Sequence, residues 1–298
     1  MTVDIKALRA QAGVRGRRGR PGATEVADLM KIIASRTKET PKERIVKISE
    51  RFSVMYKLAV TAIAGAVRGL VVSGAPGTGK SHTIKALLRQ AKDRGEINYI
   101  AVSGTITGIN LYKLLYKFKG KNDVILLDDT DSVYDDEDSM NLLKAALDSN
   151  EERVISWLSE SNVLKAEGID TQFVYEGSMI FITNKDLQTA AITDRGRNAV
   201  HYRAMMDRAV YLDLKLHSRE DVLAWVGHMV RKHHILVQKG LTRGQEEEVV
   251  VWVEKHYAQI PALSIRLMNK IAGYVVTFPT EWEMMARVTA FADNPLEY

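Results

Sequence analysis

Apolar positions recur along this chain in two rhythms. Between positions 69 and 214, short unbroken apolar runs alternate with stretches in which apolar residues return every three or four positions; beyond 216 only the second rhythm continues. An unbroken run predicts a strand covered on both faces, and the 3.6-residue return predicts a helix with one buried face. The strand-like runs are 69–73, 97–102, 124–127, 179–182 and 209–214. Helical spacing fills 83–94, with Gly95 as its stop, then Leu111, Leu114, Leu115 and Phe118 on one face, then 139–147. Further helices are predicted to start at Ser218, where Asp221 three residues on completes a capping box, near Thr242, near Leu263 and after Pro279. Two helical patterns precede the first strand: one over 24–36 (Val26, Leu29, Met30, Ile33), and a long amphipathic stretch over 43–67. Residues 151–177 fit neither rhythm cleanly; 154–158 and 173–175 are strand candidates. Alternating strands and helices followed by a block of helices predict an α/β fold, a doubly wound parallel sheet, and then a small all-helical domain. The expected divisions are a tail over 1–22, a helical segment over 23–66, the α/β domain over 67–216 and the helical domain over 217–298.

Composition narrows the chemistry. With 298 residues, 46% hydrophobic and 27% charged, the chain can bury a sizeable core. It contains no cysteine, which excludes disulfides, zinc–thiolate sites and thiol catalysis. No apolar stretch approaches the length of a membrane span and the N-terminus lacks a signal-peptide core, so the chain reads as cytoplasmic with no membrane partner. The net charge of +5 is unevenly placed: residues 1–22 hold six cations (Lys6, Arg9, Arg15, Arg17, Arg18, Arg20) and one acid, leaving equal numbers of basic and acidic residues elsewhere. That tail is rich in Gly and Pro and poor in apolar residues, which predicts disorder in isolation.

The most specific motif is Gly74-Ala75-Pro76-Gly77-Thr78-Gly79-Lys80-Ser81, a complete G-x-x-x-x-G-K-[ST] phosphate loop with His82 following it. It lies after the run Leu70-Val71-Val72 and before a helical pattern, the strand–loop–helix setting such a loop requires. Its glycines let backbone N–H groups converge on phosphate oxygens, and the following helix adds the positive end of its dipole. Lys80 supplies a charge for the β- and γ-phosphates of ATP, and the Ser81 hydroxyl is a ligand for Mg²⁺. Asp128 ends the apolar run 124–127, where a carboxylate reaches the same metal directly or through water; this is a Walker B position. Asn184 ends the run 179–182 plus Thr183, where an amide can orient an attacking water and sense the γ-phosphate. Arg208 precedes the last strand, and Arg266 opens a helix of the C-terminal block.

Taken together, these segments resemble the AAA+ ATPase family over about residues 45–292: the phosphate loop, Leu-Leu-Asp-Asp, Ile-Thr-Asn, Asp-Arg before the last strand, and Ser-Ile-Arg in the helical block. The resemblance extends to phage-encoded AAA+ ATPases and to helicase-loader and clamp-loader relatives, so the compartment it implies includes the cytoplasm of a phage's host. It implies a P-loop AAA+ sheet with a helical lid, Asn184 as sensor 1, Arg208 as an arginine finger acting on a neighbouring subunit, and Arg266 as sensor 2. Arg195, Arg197 and Arg203 rival Arg208 for the finger. A finger supplied in trans implies a homo-oligomer, a hexameric ring or an open spiral by family analogy. The family places a Glu after the Walker B Asp; here Asp129 stands there, shorter by one methylene, about 1.5 Å of reach. Asp129 is read as the general base, with help from Asp131 as one way to make up the reach.

For the substrate, the tail offers Arg18-Gly19-Arg20-Pro21, similar to the core of an AT-hook, so Arg15, Arg17, Arg18 and Arg20 are candidate contacts to DNA. The loop 103–108 follows the second strand, and Ile106 there is a candidate substrate contact. Seven acids over 128–138 pull the other way: Asp135, Asp136, Glu137 and Asp138 would repel DNA and attract a basic partner. The primary expectation is an ATP hydrolase that remodels or loads on DNA in replication or recombination. The alternative is a protein-remodelling ATPase acting on a polypeptide or a partner assembly.

Overall fold

The computed structural model describes residues 39–159, 161–193, 197–216 and 218–291. The tail with Arg15, Arg17, Arg18 and Arg20, and the helical pattern over 24–36, lie outside the described residues. By contacts the chain divides into two compact units. Among the described residues, one comprises those of 51–74 and 80–214; the other comprises 39–50, Ala75–Gly79 and those of 215–291.

The first unit is built on a five-stranded sheet. Its strands are β1 (Gly69–Ser73), β2 (Asn98–Ser103), β3 (Asp123–Asp128), β6 (Ser178–Thr183) and β7 (Val210–Asp213), in the order β2-β3-β6-β1-β7. Every pairing is parallel. β1 and β6 are buried throughout, as their unbroken apolar runs require, while β2 at one edge mixes exposed and half-buried positions. The helices α2 (Lys80–Asp93), α3 (Gly108–Lys117), α4 (Glu137–Ala146), α6 (Leu187–Thr193) and α7 (Arg197–Arg208) connect these strands. Leu111, Leu115, Ile125, Leu127, Leu143 and Phe181 form part of one continuous core. Because successive strands run parallel, their carboxyl ends lie along one edge, where such sheets bind ligands.

Residues 151–177 resolve into a second, two-stranded antiparallel sheet. β4 (Val154–Ser156) pairs with β5 (Gln172–Val174), and the short helix α5 (Asn162–Ala166) lies between them. Ile155 and Phe173 face each other on the buried side, and Val154 and Val174 on the exposed side. Trp157, within the expected strand 154–158 but just past the end of β4, packs on Tyr112 at 5.8 Å between ring centroids, and Phe173 packs on Tyr112 at 5.2 Å.

The long helix α1 (Pro41–Ile63) contributes residues to both units. Thr40 and Glu43 cap it reciprocally: the Glu43 amide donates to the Thr40 hydroxyl and the Thr40 amide to the Glu43 carboxylate. It stops four residues before the expected end at 67, because Gly65 takes a left-handed φ of 71° and the amides of Gly65 and Ala66 turn back onto Ala62 and Thr61.

The second unit holds α8 (Arg219–His233), α9 (Arg243–His256), α10 (Ile265–Thr277) and α11 (Trp282–Ala290). Thr242 and Gln245 form a full capping box on α9. At α8 the Ser218 hydroxyl accepts from the Asp221 amide as expected, whereas the Asp221 carboxylate goes to Arg44 at 2.6 Å instead of back to the cap. Among the described residues no helix is long and apolar enough to cross a membrane.

Candidate nucleotide site

The sheet unit carries one part of the phosphate loop. β1 ends at Ser73, and a Cβ on Gly74 would stand 3.2 Å from Leu214 Cβ, so the chain passes close to the segment following β7. Lys80 opens α2 and is buried, its ammonium donating to the Gly74 carbonyl at 2.8 Å and to Asn184 Oδ1 at 3.0 Å. The other end of the Asn184 amide, Nδ2, donates to Asp129 Oδ1 at 2.9 Å. Asn184 thus bridges the phosphate-loop lysine and the carboxylate after the Walker B position. Ser81 Oγ donates to Asp128 Oδ1 at 2.7 Å. These contacts join residues far apart in sequence because the register sets Asp128 beside Ile182 and Ser73 beside Thr183 at the strand ends.

Asp129 is exposed and its backbone is left-handed, with φ 55°. Its amide donates to the Ile182 carbonyl at 2.9 Å, which holds the turn at the end of β3 against β6. Asp131 is occupied: Thr183 Oγ1 donates to its carboxylate at 2.7 Å. It braces the loop beside Asn184. The Tyr134 side chain beneath this loop is fully buried, and burial pushes its phenol well above the ordinary range, so it stays neutral.

Residues Ala75–Gly79 belong to the helical unit, and their contacts there are specific. Trp225 Nε1 on α8 donates to the Thr78 carbonyl at 3.0 Å. The Ile265 amide, first in α10, donates to the Gly77 carbonyl at 2.9 Å. A Cβ on Gly77 would meet Ser264 Cβ at 2.6 Å, so glycine is required there on contact grounds as well as for its φ of 67°. Gly79 has φ 103° and open space where a Cβ would stand. The Ser264-capped end of α10 therefore abuts the loop, and Arg266, one residue beyond Ile265, is exposed. Pro76 and His82 are also exposed.

The remaining candidates make other contacts or lie outside the described residues. Arg208 ends α7 and donates to its own helix at Ala204 O, 3.3 Å away. Arg203 does the same to Ala199 O. Arg195 and the side chain of Arg197 fall outside the described residues. Ile106 is half-buried and packs on the sheet unit's core, whereas Thr105 is exposed. Two contributors escaped the sequence analysis: Thr183, and Lys85, whose ammonium lies 2.6 Å from Asp128 Oδ2. Lys85 stands one helical turn after Ser81 on α2, a spacing that could have revealed it.

The donor set fits Mg²⁺. Ser81 and Asp128 offer a hydroxyl and a carboxylate, hard oxygen donors of the kind that hold this ion together with substrate phosphates and water. Among the described residues, no group of three or more His, Cys, Asp or Glu could hold a metal without such help.

Residues 70–201 match the ATPase family associated with various cellular activities (AAA). The chain is 34% identical over 250 residues to an uncharacterized 36.7 kDa protein from the nrdC–mobD intergenic region of Enterobacteria phage T4, spanning 84% of this chain and 76% of that one. Among solved structures, RuvB of Thermotoga maritima is similar at 12% identity, with 80% of this chain and 68% of that chain covered and a TM-score of 0.46. NtrX of Brucella abortus in complex with ATP is similar at 11% identity, with 98% and 66% covered and a TM-score of 0.47. With the phosphate loop, the parallel sheet and this family match in place, the chain belongs to the AAA family of ATPases.

Proposed function

We propose that the chain binds ATP with Mg²⁺ and hydrolyses it in a homo-oligomer, and that it uses the cycle to remodel or load on DNA. The observation that carries the nucleotide reading is the bridge from Lys80 through Asn184 to Asp129. One amide couples the group that would meet the phosphates to the group that would meet the water.

In this reading the backbone N–H groups of Gly77–Ser81 and the Lys80 ammonium hold the phosphate chain. Mg²⁺, held by Ser81 and Asp128, would neutralise charge on the phosphate oxygens. The Asp129 carboxylate accepts a proton from the water that attacks the γ-phosphorus. As the new P–O bond forms, the bond to the β,γ-bridging oxygen breaks, leaving ADP and inorganic phosphate. Asn184 orients that water with the amide that holds Asp129 in the absence of nucleotide. Arg266 reads the bound phosphate from α10. Arg208 stabilises the transition-state charge of a neighbouring subunit, which is why an oligomer is required.

The DNA part rests on the tail, whose cations would displace counterions from a phosphate backbone and make binding salt-sensitive. A second reading, a protein-remodelling ATPase, is favoured by the acidic run Asp135–Asp138, most of it exposed, which suits a basic polypeptide better than DNA. ATPase rates of the full chain and of a chain lacking residues 1–22, each with and without single- or double-stranded DNA, separate the two. Stimulation by DNA that truncation removes supports the first reading. Indifference of both chains to DNA removes it and leaves the second.

A further inference from the structure

Asp128 is held in a way that the nucleotide reading does not require. Its side chain is only 7% exposed, and both of its oxygens are taken, Oδ1 by the Ser81 hydroxyl at 2.7 Å and Oδ2 by the Lys85 ammonium at 2.6 Å. The two partners sit four residues apart on α2 and approach the carboxylate from one helical face. They differ chemically. A hydroxyl can donate its proton to Asp128 and still offer a lone pair to a cation; an ammonium has three donors and no lone pair. Ser81 can therefore keep its bond to Asp128 while ligating a metal, whereas Lys85 occupies a carboxylate oxygen and brings a positive charge to the place where a metal or its water would bind.

We infer that Lys85 is a resident counter-cation of the metal site. It neutralises the buried Asp128 carboxylate when no metal is present and gives that oxygen up as Mg²⁺ and nucleotide enter, so it sets how much Mg²⁺ the site requires. The inference rests on the nucleotide reading above. It is independent of the DNA question. Burying a carboxylate without a partner is costly, which accounts for the lysine. A like charge a few ångströms from the metal raises the concentration of metal needed, which is the consequence.

The test uses the full chain and its Lys85→Met and Lys85→Arg variants. Two quantities are read: the melting temperature in EDTA without nucleotide, and the Mg²⁺ concentration that half-saturates binding of a fluorescent ATP analogue. Lys85→Met keeps the aliphatic stem and removes the charge, so its melting temperature should fall while its half-saturating Mg²⁺ drops by about tenfold. Lys85→Arg should resemble the parent in both. A lysine that is merely structural would lower stability without lowering the Mg²⁺ requirement, so an unchanged or raised Mg²⁺ midpoint in Lys85→Met overturns the inference. Should that variant not fold, acetylation of Lys85 in the parent protein, followed by mass spectrometry, decides. Labelling should rise when Mg²⁺ and a non-hydrolysable ATP analogue are added together, and unchanged labelling refutes the displacement. A parent chain that fails to bind the analogue at any Mg²⁺ concentration overturns the nucleotide reading and this inference together; normal binding with an unshifted midpoint overturns only the latter.

Discussion

At the scale of single residues, the proposed chemistry turns on Asp129. A carboxylate one methylene shorter than the family's Glu has to be aimed by something other than its own length. The backbone does part of this: φ at Asp129 is 55°, in the left-handed region, and the carboxylate then meets the Asn184 amide. Asp and Asn are among the few non-glycine residues that tolerate this region, so Asp129→Asn should fold normally. It should retain ATP binding, measured by titration of a fluorescent analogue, and lose turnover by roughly 10²–10⁴-fold as general-base catalysis disappears. Unchanged turnover would remove Asp129 from the role of base. The sequence marked this position, since it directly follows Asp128. The turn that re-aims the side chain was not legible, because φ depends on the hydrogen bond from the Asp129 amide to Ile182 across the sheet.

Between elements, Arg153 is a side chain that joins several segments at once. It lies at the entrance to β4, 7% exposed, and its guanidinium donates to Ala146 O at 2.7 Å, at the end of α4, and to Gly177 O at 3.0 Å, just before β6. Its face lies over Tyr175, 5.1 Å from the ring centroid. One cation thus ties the end of α4 and both flanks of the small β4–β5 sheet together. Arg153→Met keeps much of the volume and leaves two carbonyls without their donor, so urea unfolding should show a loss of about 2–4 kcal/mol. A loss within error would mean that the small sheet is held by Ile155 and Phe173 alone. Periodicity could not settle this region. Strands of three residues are too short for alternation to register, and the arginine that holds them carries no pattern of its own.

For the molecule as a whole, the proposed oligomer is what the arginine finger tests. Arg208 donates to Ala204 O on the preceding turn of its own helix, and its proposed role is as a finger that acts on a neighbouring copy. Arg208→Ala should leave ATP affinity near that of the parent and lower the ATPase rate by about 10³-fold or more. Mixing it with an excess of Lys80→Ala subunits, which supply intact fingers but bind no nucleotide, should restore part of the rate. Failure of such mixtures to recover any activity would argue against a finger in trans. The substrate question belongs to the same scale: the basic tail and the acidic run near α4 point to opposite partners, and the tail-deletion assay weighs one against the other.

What the sequence determined by itself is whatever can be written in consecutive residues. The phosphate loop is eight neighbours whose backbone geometry is local, and β1, β3 and β6 announce themselves as continuous apolar runs because their centres are buried on both faces of the sheet. The tertiary structure decided which distant groups meet. Ser81 and Asp128 are 47 positions apart and Lys80 and Asn184 are 104, yet each pair shares a hydrogen bond because a parallel sheet delivers its strand ends to one edge. Lys85 belongs to this second category. Its presence on α2 is in the sequence, but its pairing with Asp128 exists only once β3 lies in register beside β2 and β6 and the helix after the loop has packed back over them.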